Sequence, residues 1–590
     1  MKRFFLFLGA FMLIAALLVA CRTPGRAGQA MRPGTYVTTS ITVIPDPTRA
    51  YNLGGEMRVQ TVVSRNRIES VTVLSHTDSP NFVELPAVRI PAEIVAYQSL
   101  NIDVIAGATI TSMAILSAVI DAVTQARGDV SAFMAPRPRA APNAPVTLRT
   151  DVLVVGSGIA GLSAAIEAVY TGADVLLIEK LGLLGGVTST SQGWVQGANN
   201  AVMRANGIAD SAEAYEAFLN AVAWGRADRA MIRHIAHLSE NTIDWFINMG
   251  VVFRDTPQYS FAGYTPSRAV RTLRGMGYEL TIPIVQYAEQ QGVRFMKETP
   301  AQSLIMQGGR VVGVNAVDRT GGEVTIYADN VILATGGFHF NPELTAQFMP
   351  LHAASGTMRP AGLVGMTGDG LLMGMAVGAD TVMGYLGING LAGVPNRGVW
   401  VTPSGRRFTD ESYFYGHART SSLLDLGYNY QFTIMDMSHH DAELEAAITA
   451  GTAFRANTVA ELAGLINMDP AILGATIARY NELTRIGSDL DFASPFGVNS
   501  AERLQPIERS PFFAQLSNSF SPFFRSGGGL KIDLYGRVIH TNGNPIPGLF
   551  ASGEVAGAQF MPAEYGGSGM ALTVYPNMAR LAGRTAAAER

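Results

Sequence analysis

An apolar run, Asp151-Val152-Leu153-Val154-Val155, leads directly into Gly156-Ser157-Gly158-Ile159-Ala160-Gly161, and an alanine-rich stretch follows. Glycines at this spacing say little alone. Here they lie between a strand and a helix, and a second strand, Asp174 to Ile178, ends in Glu179, eighteen positions after Gly161. That order predicts an α/β, Rossmann-type dinucleotide-binding domain opening at Arg149. Gly156 permits the tight turn, Gly158 lets backbone approach a pyrophosphate, and Gly161 allows helix and strand to pack closely. The helix N-terminus offers N–H groups to phosphates, and Glu179 is placed to accept from a ribose hydroxyl.

The remaining length must fold as well. A chain of 590 residues holds two or three cores. Its net charge of -4, with 15% charged residues and no basic stripe, excludes a nucleic-acid partner. Upstream, Gly34 to Phe133 carries alternation at Met57, Val59, Thr61 and Val63, then at Val71 and Val73, and a helical stretch from Ile110 to Thr124. This predicts a small α+β domain over 34–133. Residues 134–148 bear Pro136, Pro138, Pro142 and Pro145 and read as a semi-rigid linker.

Residues 1–20 combine Lys2 and Arg3 with an apolar run from Phe4 to Val19, the pattern of an export signal. Leu18-Val19-Ala20-Cys21 resembles the lipobox of bacterial lipoproteins, which implies acylation of Cys21 and a polar tether over 21–33. The expected location is outside the cytoplasm, at the cell surface or in the periplasm, held to the bacterial membrane by lipid. Cys21 is the single cysteine, so disulfides, Fe–S ligands and CxxCH haem attachment are all excluded.

Further glycine-rich segments follow the dinucleotide loop: Gly185-Gly186-Val187-Thr188, Ala334-Thr335-Gly336-Gly337-Phe338, Gly368-Asp369-Gly370 and Gly548-Leu549-Phe550-Ala551-Ser552-Gly553-Glu554. In this order they resemble the fumarate reductase and succinate dehydrogenase flavoprotein family, which includes urocanate reductases and 3-ketosteroid dehydrogenases. The resemblance runs from Asp151 to Ala582. It implies non-covalent FAD lined by Gly156, Gly158, Ala160, Gly161, Glu179, Thr188, Gly193, Asp369, Glu554 and the Gly569–Leu572 segment with Ala571 and Leu572. It also implies an α+β capping domain at 386–525, inserted between FAD-domain parts at 149–385 and 526–590.

Asp103-Val104-Ile105-Ala106-Gly107-Ala108-Thr109-Ile110-Thr111-Ser112 resembles the flavinylation segment of FMN-binding domains. The resemblance implies FMN joined covalently through its phosphate to Thr109 by a flavin transferase. Small neighbours expose that hydroxyl, and the following helix directs its N-terminus toward the phosphodiester.

The substrate positions depart from the fumarate pattern. Eight residues after Arg407 of Arg407-Phe408-Thr409-Asp410-Glu411, where fumarate reductases place an Arg acid, stands Tyr415, and the next Arg is Arg419. Arg525 replaces a substrate His, Asn389 a second one near Tyr385, and Glu564 a carboxylate-clamping Arg. A Glu facing a carboxylate repels it, so fumarate itself is disfavoured. Glu411-Ser412-Tyr413-Phe414-Tyr415 and Tyr565-Gly566-Gly567-Ser568-Gly569 resemble segments of the 3-ketosteroid dehydrogenases. That implies Tyr565 and the Gly569 N–H polarising a carbonyl, with Tyr415 or Arg419 as the proton donor and Arg525 nearby. The leading expectation is a reductase of α,β-unsaturated carboxylates or carbonyls, fed by a membrane electron donor. A steroid-type Δ1-dehydrogenase or enone reductase, and a non-catalytic flavin electron carrier, remain alternatives.

Overall fold

The computed structural model describes residues 30–42, 55–135, 141–223, 225–257, 266–356, 360, 362–383, 398–411, 417–492, 505–518, 525–561 and 565–590. The export signal, Cys21, Tyr385, Asn389, Tyr415 and Glu564 lie outside them. The chain divides into two compact units, Met1–Arg139 and Ala140–Arg590. Among the described residues no helix is long and apolar enough to cross a membrane.

The first unit is an antiparallel meander of Gly34–Ile41, Glu56–Val63 and Ile68–His76, with helices Pro80–Tyr97 and Thr109–Gln125. The period-two reading holds in the central strand, where Met57, Val59, Thr61 and Val63 are all buried. The second helix turns Ile115, Val119 and Val123 inward, and the Thr38 hydroxyl, from the first strand, donates to Ala118 O at 2.8 Å.

The second unit is built on an eight-stranded sheet. Its main path runs Arg537–Ile539, Pro545–Ala551, Glu323–Leu333, Val146–Val155, Val175–Ile178, Arg294–Met296. The pairings from Pro545–Ala551 through Arg294–Met296 are parallel, as strand–helix–strand crossovers require. Strand Val146–Val155 has Val152, Leu153 and Val154 fully buried, the signature of a strand covered on both faces. The proline-rich linker read over 134–148 ends sooner than expected. Val146, Thr147 and Leu148 already pair with Val324, Thr325 and Ile326, because the neighbouring strand is eleven residues long and offers a ladder to extend along.

The cap has a core of its own. A four-stranded antiparallel sheet, ordered Val399–Val401, Gln431–Asp436, Phe512–Ser517, Ala453–Ala456, packs against helices Val459–Leu465 and Pro470–Ile486. The chain leaves for the cap through strand Thr381–Met383 and returns through Gly528–Leu530. Those two strands pair antiparallel, Thr381 with Leu530 and Met383 with Gly528.

Candidate functional site

The glycine loop has the geometry its sequence demands. Gly156 adopts φ +106°, and a Cβ there would lie 2.4 Å from the Ala334 carbonyl oxygen. A Cβ on Gly161 would lie 1.8 Å from Gly156 O, so the helix Ile159–Tyr170 sits tight on the turn. A Cβ on Gly158, by contrast, would meet no protein atom within 4 Å. This face and the helix N-terminus fit a pyrophosphate. Thr188 Oγ1 accepts the Ile159 N–H at 3.3 Å, and Gly193 (φ +66°) closes against the Thr272 hydroxyl. Ala160 abuts Gly553, where an added Cβ would come within 2.7 Å of its own, which brings the first turn of the helix beside Glu554.

Two acidic positions are more engaged than expected. Glu179 accepts from the Ser157 N–H at 2.9 Å, the Ser157 hydroxyl at 2.7 Å and the Leu181 N–H at 2.9 Å. About one of a carboxylate's four acceptor positions then remains for a ribose. Asp369 is paired with Lys180, whose Nζ lies 2.5 Å from Oδ2, and the Thr367 hydroxyl bridges both. Lys180 and Thr367 escaped the sequence reading, although Lys180 directly follows Glu179.

Glu554 anchors a buried polar cluster. Its Oε1 accepts the Ser526 N–H at 2.7 Å, and His339 Nδ1 stands 3.7 Å from the same oxygen. Burial alone would raise its pKa, but His339, the Ser526 amide and the Arg525 charge outweigh it and hold the carboxyl below its usual range. Arg525 is buried and already committed: Nε donates to Tyr575 Oη at 2.9 Å, Nη2 to Gly557 O at 3.1 Å and Nη1 to Met561 O at 3.4 Å. Tyr565, Tyr575 and Glu554 all lie within electrostatic reach of Arg525.

Tyr565 and Gly569 bracket one short loop. The Ala571 N–H, at the start of helix Ala571–Ala588, donates to Tyr565 Oη at 3.3 Å, and Leu572 is buried in the next position. Burial pushes the Tyr565 phenol above its ordinary value of 10.0, so it keeps its proton at neutral pH. Gly569 adopts φ +91°, and a Cβ there would lie 2.8 Å from Val195 N. The loop is held from beneath by a residue the motifs did not mark. Gln196 Nε2 donates to Gly566 O at 3.0 Å and Ser568 O at 3.1 Å, and its Oε1 accepts from Tyr215 Oη at 2.9 Å. Arg268 lies over the Tyr215 ring at 4.9 Å and makes a bidentate, fully enclosed pair with Asp210. These partners are far apart in sequence, so no local pattern reveals them.

In the cap, Arg407 and Glu411 of the Arg-Phe motif pair with each other, and Arg407 Nη1 donates to Asp489 Oδ1 at 3.0 Å. Glu411 also accepts the Trp400 N–H at 3.2 Å, and the Trp400 ring carries the buried Arg419 guanidinium 4.3 Å from its centre. Arg419 lies on helix His417–Asp425, against which the short helix Pro350–Ala354 packs. That second helix contains His352, whose pKa is pushed down to about 4 by burial. Between pH 6.5 and 4 the unfolded chain binds a proton that the native state refuses, so stability is present at neutral pH and falls across that window. The full loss is ~3 kcal/mol. His352→Leu is expected to flatten this part of the profile, read as the urea midpoint between pH 7 and 4; an unchanged slope would refute the assignment.

In the first unit, Thr109 opens its helix and is exposed, and Gly107 takes φ +89° in the preceding turn. The N-cap residue is Ala108, whose methyl side chain makes no cap hydrogen bond.

Comparison with known proteins matches residues 151–570 to an FAD binding domain and residues 52–124 to an FMN-binding domain. A urocanate reductase of Eggerthella lenta is 31% identical over 533 residues, covering 85% of this chain and 86% of that protein. An NADH:acrylate oxidoreductase of Vibrio harveyi is 28% identical, covering 91% of this chain and 60% of that longer protein. Among solved structures, the 3-ketosteroid-Δ4-(5α)-dehydrogenase of Rhodococcus jostii RHA1, in complex with 4-androstene-3,17-dione, aligns with TM-score 0.62 and 29% identity over 75% of this chain and 97% of that one. With its glycine loop, inserted cap and N-terminal FMN-binding domain, the chain belongs to the FAD-dependent oxidoreductases of the fumarate reductase and succinate dehydrogenase flavoprotein family.

Proposed function

We propose that this chain reduces the C=C bond of an α,β-unsaturated carboxylate or carbonyl compound outside the cytoplasm, using FAD beside the Tyr565–Gly569 loop. The observation that carries this reading is the loop itself, a buried phenol and a glycine at φ +91° held in place by the buried Gln196. Bound reduced FAD supplies a hydride. Tyr565 and the Gly569 N–H then hold the substrate carbonyl oxygen as charge gathers on it, and Tyr415 or Arg419 delivers the proton to the other carbon. Relatives named for urocanate and acrylate reduction support a C=C acceptor. Within this chemistry the engagement of Arg525 with Tyr575, Gly557 and Met561 favours a second reading, an enone of the steroid type, over a carboxylate gripped by Arg525.

The surrounding wiring belongs to the same proposal. Cys21 carries lipid, a flavin transferase joins FMN to Thr109, and electrons arrive from a membrane donor through that FMN. The reading is tested by oxidation of a reduced viologen dye against a panel of enoates and enones. Turnover of either class supports it, and a protein with both flavins that reduces nothing in the panel points to an electron carrier instead. Tyr565→Phe is expected to lower kcat/KM roughly 10²-fold with FAD content unchanged; wild-type kinetics would remove Tyr565 from the site. Thr109→Ala is expected to abolish flavin fluorescence on a denaturing gel, and a surviving band would end the FMN assignment.

A further inference from the structure

The helix that begins at Thr109 starts in an unusual way. Its first turn carries the reactive hydroxyl, yet Ala108 offers no side-chain acceptor to the orphan N–H groups, and uncapped first turns fray. Ile110 and Met113 on this turn are exposed and add little packing. What restrains the turn comes from a distant part of the chain. The Thr111 hydroxyl donates to Asp78 Oδ2 at 2.6 Å, and the other carboxylate oxygen accepts from the Thr42 hydroxyl at 2.5 Å. Thr42 in turn accepts the Gly55 N–H at 2.9 Å. Asp78, Thr42 and Thr111 are all buried. A second restraint acts on the preceding loop: Ser112 Oγ donates to Ala108 O at 2.9 Å and accepts the Ile105 N–H at 3.1 Å. The Thr111 and Ser112 hydroxyls are therefore both committed inward, while Thr109 is exposed.

We propose that Asp78 and Thr111 are positioning residues for flavin attachment: their buried hydrogen bond substitutes for a helix cap and holds Thr109 in the one orientation a flavin transferase can use. This rests on the reading of Thr109 as the attachment point. In the transfer, Thr109 Oγ forms a bond to the FMN phosphorus of an FAD donor. The phosphoanhydride bond breaks, AMP leaves with the bonding electrons, and the hydroxyl proton passes to a base of the transferase. A frayed first turn spreads Thr109 over many orientations and slows that attack, because the reacting oxygen must meet phosphorus in line. A carboxylate beside the first turn also suits the positive end of the helix.

The test uses the full-length chain, FAD and a flavin transferase, and follows covalent flavin by gel fluorescence over time. Thr111→Val and Asp78→Ala are each expected to slow incorporation at least tenfold, while Thr111→Ser, which keeps the hydroxyl, stays within twofold of the wild type. Val119→Ala, a fully buried position on the same helix, serves as the control for lost stability and should label normally at a temperature where all variants remain folded. Labelling of Thr111→Val at the wild-type rate, or equal slowing by Val119→Ala, overturns the proposal while Thr109 stands. A Thr109→Ala protein that still labels overturns the attachment reading, and this proposal with it.

Discussion

Gly161→Ala is expected to yield a chain that holds no FAD and melts far below the wild type. The added methyl would lie 1.8 Å from the Gly156 carbonyl oxygen, roughly half a normal contact distance, and neither partner is a flexible side chain. The helix must therefore withdraw from the turn. It cannot do so alone, because its other side is pressed against the C-terminal helix, where a Cβ on Gly583 would lie 2.2 Å from Ala164 O. Overpacking of this kind costs about 3 kcal/mol, and the displaced N-terminus also loses its aim at the pyrophosphate. Gly158→Ala makes the contrast: the methyl meets no protein atom, so the fold should persist while FAD content drops. The pair is read by the flavin absorbance ratio and by thermal melting. Normal FAD content in Gly161→Ala would show that the packing argument is wrong.

Arg268→Met should unfold the second unit more easily by ~3–5 kcal/mol, since it strands the Asp210 carboxylate in a site with no solvent access. The same change removes the cation above Tyr215, whose hydroxyl orients Gln196 under the Gly566–Ser568 carbonyls. Activity should fall beyond what instability explains. Adding Asp210→Asn removes the stranded charge and should restore part of the stability, as measured by urea unfolding. A single variant within 1 kcal/mol of the wild type would mean that water reaches Asp210 after all.

The dinucleotide half was legible because each step is local. A strand, three glycines, a helix and an acidic residue all fall within thirty residues, and each glycine's role appears in the structure as a specific short distance. The small N-terminal sheet was legible for the same reason, from alternation at Met57, Val59, Thr61 and Val63. What escaped was nonlocal. Gln196 reaches Gly566 and Ser568 across 370 and 372 positions, and Lys180 reaches Asp369 across 189. No periodicity encodes such partners. Arg525 illustrates a different limit: a cation at a substrate position looks the same in sequence whether it faces a ligand or three protein oxygens.

The paired strands Thr381–Met383 and Gly528–Leu530 make the cap a cassette with adjoining ends. A segment that enters and leaves through one doorway can be exchanged without moving either side of the frame, since the join is a three-residue ladder. Caps of different relatives, grafted between those strands, would then present different pockets to the same FAD half. Substrate range becomes a property that can be transplanted in one piece, whereas the Tyr565–Gly569 loop, proposed above to hold the carbonyl, lies on the other side of the join and stays behind.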